Sequence, residues 1–285
     1  MATTLRPRRS VLLTGLMSLY LLYTIVPLLW LVINSSKTRE ALFTTPGLWF
    51  GEEFALFANI AQTLSYNDGI YLRWVANTLL YVVIGAGGAT VLATAAGYGL
   101  AKFHFTGRRA VFAVILGAIA IPPTALAVPT FLMFTELGLT NTPWAVIIPS
   151  LIHPFGLYLI WVYAVDGIPD DLLESARIDG AGEVRIFRTI ALRLLAPGIA
   201  TVALFTTVAT WNNYFLPLIM LNDQRWFPLT VGLSQWNAQA QGVNARPIYD
   251  LVITGSFLMI IPLIAAFLLL QRFWQSGLAA GSVKQ

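Results

Sequence analysis

The chain has 285 residues, of which 57% are hydrophobic and 11% are charged, whereas soluble domains average about 25% charged residues. Its 17 Lys and Arg residues exceed its 13 Asp and Glu residues, and it contains no cysteine. This composition excludes a soluble globular enzyme, a disordered chain and, despite the basic balance, a nucleic-acid-binding protein. The lack of cysteine excludes a disulfide scaffold and a thiolate metal site.

Long charge-free runs predict six membrane-spanning helices. About 20 apolar residues cross the ~30 Å hydrocarbon core of a bilayer as a helix. The runs are rich in Leu, Val, Ile and Ala and lack the alternation of a β-barrel strand, which predicts an all-α polytopic membrane protein. The predicted spans are 11–33, 74–100, 110–134, 144–165, 197–221 and 251–270, all within one transmembrane domain that covers residues 1–285.

Two charge-free runs must be distinguished from other kinds of apolar segment, namely a signal peptide and a membrane span. The first span follows three arginines, but its apolar run is longer than a signal-peptide core of roughly 7–15 residues, which predicts a retained helix. The run 226–245 contains five Gln and Asn side chains. Because such amides are costly in lipid, this run is predicted to be an extramembrane loop.

Lysine and arginine are unevenly divided between the two sides of these spans. If the N-terminus is inside, the inner segments hold twelve of the 17 and the outer segments five. The positive-inside rule then predicts that both termini are cytoplasmic. The outer side would hold two long loops, 34–73 and 222–250. The inner side would hold residues 166–193, a segment with ten charges in 28 residues that we call the elbow.

The elbow is predicted to form two short amphipathic helices. Pro169, Asp170 and Asp171 are typical of a helix start, the glycines of 180–182 end this helix, and a second helix begins near Glu183. The apolar residues expected on one side of each helix are Leu172, Leu173 and Ala176, and then Val184, Phe187, Ile190 and Leu194. Two interpretations stay open: a hairpin that packs on its own bundle, or an element that docks on another protein.

The predicted spans contain no Asp, Glu, Lys or Arg, which is unusual for an ion-coupled carrier. His153, the one histidine among them, is either a hydrogen-bonded packing residue or a proton relay. None of the three lysines follows a glycine-rich phosphate-binding loop, so no ATPase site is predicted in this chain. Any energy for transport would come from another subunit.

The elbow and its flanks resemble a known family. Glu174-Ser175-Ala176-x3-Gly180, followed by Ile190-x-Leu192, is similar to the EAA loop of ABC-importer permeases, where the loop is a coupling helix that sits in a cleft of the ATP-binding subunit. Further motifs extend the resemblance over nearly the whole chain, to permeases of the maltose/oligosaccharide type: Asn77-Thr78-Leu79, GYGLAKF at 97–103, Phe105-x-Gly107-Arg108-Arg109, Trp161, WNNYFLPL at 211–218, LTVGL at 229–233 and Gly277-Leu278-x-Ala280-Gly281-x-Val283-Lys284. The resemblance implies a type I ABC importer permease fold, with no catalytic or metal site.

The resemblance also implies which elbow residues couple the chain to the ATPase subunit. The expected set is Glu174, Ser175, Ala176, Asp179, Gly180 and Arg188. Glu174 would meet polar or basic groups, and Gly180 would provide the turn. Two positions depart from the family pattern: Ser175 replaces the usual Ala, and Arg193 stands where Pro often follows the Ile-x-Leu. The end of the second helix is therefore open.

A sugar pathway needs aromatic faces and hydrogen-bonding groups. Trp211, Asn212, Asn213 and Tyr214, expected mid-span in the fifth helix, provide them, or else join helices to one another. In some heterodimeric members of the family the partner permease makes most sugar contacts. His153 and Asn77 are further candidates. The glycines predicted to allow close helix packing are Gly85, Gly87, Gly88, Gly97 and Gly99.

The combined prediction is a permease subunit of an ATP-driven, binding-protein-dependent sugar importer in a bacterial inner membrane, working by alternating access. Its expected partners are a second homologous permease, two ATP-binding subunits that hold ATP and Mg, an extracytoplasmic sugar-binding protein, the sugar and membrane lipid, but no nucleic acid. No cofactor is expected on this chain. The alternatives are an importer permease for a peptide, polyamine or other solute, an ion-coupled carrier, or a membrane scaffold. The uncharged spans argue against the carrier, and the elbow argues against the scaffold.

Overall fold

The structure is a computed structural model that describes the backbone of residues 10–241 and 245–281, with side chains up to 269 and at 271. All regular secondary structure in these ranges is helical. The three arginines before residue 10 and Lys284, on which the orientation partly depends, lie outside the described residues.

The helices alternate between long apolar rods and short segments. In chain order they are α1 (Val11–Ser35), α2 (Ala41–Thr44), α3 (Leu56–Tyr81), a π-helical turn (Val82–Ala86), α4 (Gly87–Lys102), α5 (Arg108–Ala120), a 3-10 turn (Pro123–Leu126), α6 (Ala127–Glu136), α7 (Trp144–Ser150), α8 (Pro154–Gly167), α9 (Asp170–Ile178), α10 (Glu183–Ile186), a π-helical turn (Phe187–Ala191), α11 (Leu192–Leu194), α12 (Ala196–Trp211), α13 (Phe215–Met220), a 3-10 turn (Gln224–Trp226), α14 (Leu229–Gln239) and α15 (Tyr249–Gly281).

Four helical segments of the described chain are long and apolar enough to cross a membrane, and six are if each of two bent pairs forms one span. The four are Val11–Ser35, Leu56–Lys102, Trp144–Gly167 and Tyr249–Leu269. The bent pairs are Arg108–Ala120 with Pro123–Glu136, at 98°, and Glu183–Leu194 with Ala196–Trp211, at 78°. Each of the six predicted spans overlaps one of these, so the all-α polytopic class is confirmed while several predicted bounds are wrong.

The first corrections concern helix ends. The second span begins at Leu56, and the outer loop predicted over 34–73 is therefore a loop only up to residue 55, interrupted by α2. The third span, predicted to be straight over 110–134, is broken after Ala120. Pro122 and Pro123 explain the break, because a residue before proline is pushed out of the helical region and Ile121 is extended.

The predicted extramembrane loop 226–245 is partly wrong: its described residues include a helix, although none of them belongs to a candidate membrane span. It contains α14 (Leu229–Gln239), in which Leu229, Val231, Leu233 and Trp236 are buried. The prediction rested on the five amides, whereas most of the buried apolar residues precede the first of them.

The described residues form two compact units, one of residues up to Asp68 with Trp236–Met259, the other of Gly69–Gln235 with the chain from Ile260. In the first unit, the Asn59 amide donates to the carbonyls of Ser35 and Lys37 at 2.9 and 2.8 Å. Arg39 makes a two-pronged ion pair with the buried carboxylate of Asp250, at 3.1 and 3.0 Å. These bonds fix the segment after α1, because each holds a group that would otherwise be buried without a partner.

In the second unit, a core cluster joins α4, α8 and the elbow. Its fully buried members are Ala93, Tyr98, Ile160, Ala164, Ile168, Leu173, Ile186, Ala191, Leu195 and Val202. Gly97 allows α4 to approach α8, since a Cβ at this position would lie 2.8 Å from the Ile160 side chain. Gly85 and Gly88 are similarly close to Ser150 and Leu151, which confirms them as close-packing positions. Gly87 and Gly99 face open space, so for these two the prediction is wrong.

Candidate functional site

The first arm of the elbow is α9, and it ends in a tight glycine turn. The Ala181 N–H donates to the Ala176 carbonyl and the Gly180 N–H to the Arg177 carbonyl, both at 3.0 Å. This pair of bonds is the Schellman pattern, which needs a left-handed residue at the first position after the cap. Gly180 occupies it with a φ of +81°. The turn predicted from the sequence is therefore present. The positive φ alone favours glycine here, since a Cβ would meet nothing within 4 Å.

The second arm runs from Glu183 to Leu194 through a π-helical turn and then bends by 78° into α12. The helix end that the sequence left open at Arg193, where the family often has Pro, is therefore Leu194, one residue further on. The predicted stripe is only half right: Phe187 and Ile190 pack against the core cluster, whereas Val184 and Leu194 are exposed. Ile186, before the π-helical turn, and Ala191, at its end, are the buried residues instead, and the turn shifts the register between them.

The elbow has two different faces. Its inner face packs on its own bundle through Leu173 and Ile186, which are 1% and 0% exposed. Its outer face carries Ile178 and Val184, which are 86% and 73% exposed, and Leu172 is also exposed. The interpretation of a hairpin that packs on its own bundle therefore holds for the inner face, while docking of the outer face on another protein stays a prediction.

Lys102, at the end of α4, holds the start of the elbow. Its ammonium donates to the Ile168 carbonyl at 2.6 Å and to the Asp170 carboxylate at 2.7 Å. The lysine side chain is only 5% exposed, and this hydrogen bond with its charge lowers the pKa of the Asp170 carboxyl. In the sequence, Lys102 was assigned only to the positive charges of the inner side and to the motif at 97–103. The missed signal was a lysine at the end of one helix opposite an acidic first turn of another.

A second ion pair crosses the glycine turn. The Arg177 guanidinium donates to the Glu183 carboxylate at 2.7 Å. This bond lowers the pKa of Glu183 and raises that of Arg177. Because both groups are substantially exposed, the pair orders the two arms relative to each other more than it stabilises the fold.

The six expected coupling residues all lie on the elbow and differ in exposure. Glu174, Ser175, Asp179, Gly180 and Arg188 are exposed, while Ala176 is partly buried against the core cluster. The Ser175 hydroxyl donates to the Asp171 carbonyl at 2.9 Å, so the departure from Ala is accommodated within the helix. Five of the six are thus accessible, beside the exposed apolar residues of the outer face.

The polar residues expected mid-span in the fifth helix lie at a break instead. Helix α12 ends at Trp211, and α13 begins at Phe215. Residues 212–214, here called the polar break, connect them. Trp211 is buried, whereas Asn212 and Tyr214 are exposed. Non-helical backbone within a membrane protein is tolerated where it is covered by protein or lines a cavity.

Two contacts fix the polar break to α14. The Thr230 hydroxyl donates to the Asn213 carbonyl at 2.7 Å, and the hydroxyls of Tyr214 and Ser234 are 3.0 Å apart. The Asn212 amide donates back to the Val208 carbonyl at 2.9 Å. The break is therefore a defined structure.

His153 and Asn77 occupy structural positions. The His153 ring nitrogen Nδ1 accepts from the Gly156 N–H at 2.9 Å and so caps the start of α8. The Asn77 amide donates to the carbonyls of Arg225 and Phe227, at 2.8 and 3.0 Å, which uses both of its N–H groups. Both side chains therefore have structural contacts, and their place in a sugar pathway stays a prediction.

Asn77 belongs to a row on α3 that the sequence analysis missed. Trp74 donates to the Gln224 carbonyl at 2.9 Å, Tyr81 donates to the Trp226 carbonyl at 2.6 Å, and Thr78 accepts from the Leu229 N–H at 2.8 Å. With Asn77, these residues follow the i, i+3, i+4, i+7 spacing of one helix face. The row satisfies the backbone of the 3-10 turn and the start of α14.

The helical architecture with its candidate membrane spans, the elbow and the polar break define a polytopic membrane protein. Residues 1–280 match the family of binding-protein-dependent transport system inner membrane components, and the chain belongs to that family. It is therefore an ABC transporter permease of the inner membrane.

Several characterised proteins are similar over almost the whole chain. The "Arabinooligosaccharides transport system permease protein AraQ" of Bacillus subtilis (strain 168) is 33% identical, with 94% of this chain and 93% of the relative covered. The "Lactose transport system permease protein LacG" of Rhizobium radiobacter is 30% identical over the full length of both.

A solved structure shares the fold. One chain of a bacterial ABC transporter involved in the import of the acidic polysaccharide alginate superposes with a TM-score of 0.81, at 22% identity, over 93% of this chain and 95% of that chain. The type I ABC importer permease fold is thereby established.

Proposed function

We propose that this permease imports a sugar or short oligosaccharide, in an assembly with a second homologous permease, two ATP-binding subunits and an extracytoplasmic sugar-binding protein. The observation that supports it most is the two-faced elbow: one face is fixed to the bundle and the other presents accessible apolar and charged groups. The names of similar proteins, which specify arabinooligosaccharides and lactose, support the substrate class. ATP and Mg would be bound by the partner subunits.

The elbow is the proposed contact with the ATP-binding subunits. Ile178 and Val184 would be covered by the partner, which would remove their exposed apolar surface from water. Glu174 and Arg188 would form the polar rim of the contact. This assignment puts the elbow and both termini on the cytoplasmic side, in agreement with the distribution of Lys and Arg.

The polar break is the proposed part of the sugar pathway. Asn212 and Tyr214 are exposed on a broken helix, and broken helices form substrate sites in many transporters. A tyrosine ring and two amides match the apolar faces and hydroxyl groups of a sugar. His153 and Asn77 are left out of this proposal because capping and backbone contacts engage them.

The substrate class is tested by purifying the assembly and measuring ATP hydrolysis in the presence of its binding protein loaded with candidate solutes. Stimulation by oligosaccharides and not by peptides or polyamines is expected. Stimulation only by peptides or polyamines would favour the alternative of an importer for another solute. Solute uptake without any ATP-binding subunit would overturn the whole assignment.

Coupling is tested separately with two variants of the elbow, one that reverses a charge and one that replaces the glycine of the turn. Glu174→Lys and Gly180→Val should abolish sugar-dependent uptake while the subunit still reaches the membrane. Asp166→Lys is the matched control, because Asp166 is an exposed carboxylate at the end of α8, before the first arm of the elbow. Normal uptake by the first two variants at matched expression, or equal loss in the control, would refute the coupling role.

A further inference from the structure

Beside the elbow lies a basic cavity that the proposed transport cycle does not use. It has a volume of about 580 Å³, and its wall is formed by Leu100, His104, Phe105, Gly107, Arg108, Arg109, Phe112 and Trp161. Three of these residues are basic and none is acidic. The volume falls within the range of small-molecule sites, roughly 300–1,000 Å³.

The positive charge of this cavity is not neutralised by a carboxylate. The four ion pairs of the described residues leave out both arginines. Arg108 contacts the His104 ring nitrogen Nδ1 and the Ala101 carbonyl, both at 3.2 Å. The nearby carboxylate of Asp170 is engaged by Lys102 at 2.7 Å. A guanidinium has five N–H donors, so most donors of the pair remain available to an anion.

The backbone adds to the positive electrostatic potential of the cavity. Helix α5 begins at Arg108 after Gly107, whose φ is +88°, and no side chain caps this end. The positive end of the helix dipole therefore coincides with the two arginines. The Arg108 N–H donates to the Phe105 carbonyl at 3.3 Å. An anion with several oxygens can accept from both guanidinium groups and from the remaining first-turn N–H groups together.

The rest of the cavity is apolar and opens along an uncovered helix. Phe112 and Trp161 pack at 4.4 Å between ring centroids and form the aromatic wall. Helix α5 has no buried residue at all, and Leu116 and Ile119, which follow Phe112 on the same helix face, are exposed. A ligand with an anionic group and a long apolar tail fits this combination, whereas a free phosphate would leave the aromatic wall and the helix unused.

We propose that this cavity, the basic pocket, binds the phosphate headgroup of an anionic phospholipid, with an acyl chain lying along α5. The elbow adjoins the basic pocket, because Lys102 and Asp170 join the end of α4 to the start of α9. The inference rests on the proposed function for placing this end at the cytoplasmic leaflet, where anionic lipids attract basic residues near membrane helices. Bound lipid would link the base of the elbow to the composition of the membrane.

The test is native mass spectrometry of the full chain, purified in mild detergent with the subunits that accompany it and mixed with equal amounts of phosphatidylglycerol and phosphatidylcholine. Phosphatidylglycerol should be retained preferentially. Arg108→Gln and Arg109→Gln should each reduce that preference about fivefold, as expected for about 1 kcal/mol per basic residue at an anionic surface. Arg193→Gln, at an exposed arginine of the elbow, should leave it unchanged.

Three further arms make the outcome decisive. Arg108→Lys keeps the charge and should restore most of the preference. Excess inorganic phosphate should fail to displace the lipid, and displacement would identify a free phosphate site instead. Equal retention of the two lipids by the wild-type chain would overturn the inference even if every variant misfolded. Loss of lipid preference alone, with sugar-dependent ATP hydrolysis intact, would leave the proposed function standing.

Discussion

Gly180→Ala isolates the backbone requirement of the elbow from every contact of a side chain. The left-handed φ of +81° costs an L-residue about 1–2 kcal/mol. No steric term is added, because a Cβ at Gly180 would have nothing within 4 Å. The two Schellman bonds of 3.0 Å would then open more readily.

Gly182→Ala is the matched control in the same turn. Its φ is −72°, which any residue adopts, and its Cβ would also meet nothing within 4 Å. The gain of about 0.4–1 kcal/mol from restricting the unfolded chain is opposed by the loss of glycine at the N-cap of α10, where Gly is preferred to Ala, so the substitution should be close to neutral. The two variants therefore differ mainly in whether the position has a left-handed φ.

The measurement is hydrogen–deuterium exchange of the turn amides, in parallel with the ratio of ATP hydrolysed to sugar imported. A local loss of about 1–2 kcal/mol corresponds to exchange that is about 5–30 times faster in Gly180→Ala. The ratio should rise in the same variant and remain normal in Gly182→Ala. Equal exchange in both variants would refute the role assigned to the left-handed residue.

Three other predictions follow from the second unit. Lys102→Met leaves the Asp170 carboxylate without its 2.7 Å partner. Hydrogen exchange at the start of α9 should become about tenfold faster, the scale for a charged hydrogen bond, and an unchanged rate would contradict this. The same bond lowers the pKa of Asp170. Its contribution to stability should therefore be fully present above about pH 4, the pKa of the unfolded chain, and should vanish as the pH falls through the lower folded pKa. Hydrogen exchange at the start of α9, measured between neutral and acid pH, should therefore become faster as the pH falls, once corrected for the intrinsic exchange rate. Gly97→Ala should destabilise the unit by about 1–3 kcal/mol in a thermal unfolding assay, because its Cβ would lie 2.8 Å from Ile160, and Gly99→Ala, facing open space, should not.

The elbow was predictable from the sequence because its determinants are local. Pro169 with two acids starts α9, and Gly180 ends it, as the order of residues alone indicates. The buried side of the second arm was not predictable. The π-helical turn Phe187–Ala191 inserts an extra residue per turn, and a 3.6-residue period then assigns the wrong face.

The helix within 226–245 was not predicted for the opposite reason, because the residues that determine its position are distant in sequence. The carbonyls of Gln224–Trp226 accept from side chains of α3, about 150 positions earlier. Average polarity predicts exposure for such a segment, but polar backbone can be buried when every group has a partner. The spacing of Trp74, Asn77, Thr78 and Tyr81 on one helix face was visible, but nothing in the sequence indicated which backbone they would meet.

The elbow and the polar break are connected by one helix. The second arm bends at Leu195 into α12, and α12 ends at Trp211, where the polar break begins. Its 16 residues span about 24 Å at 1.5 Å per residue. Leu195 is fully buried in the core cluster, together with Ile186 of the arm. Because close-packed cores deform little, a displacement of the elbow must either disrupt that cluster or carry α12 with it. The second route keeps Ile186 and Leu195 together, so under the proposed coupling role α12 is the element that would carry movement of the elbow toward the polar break.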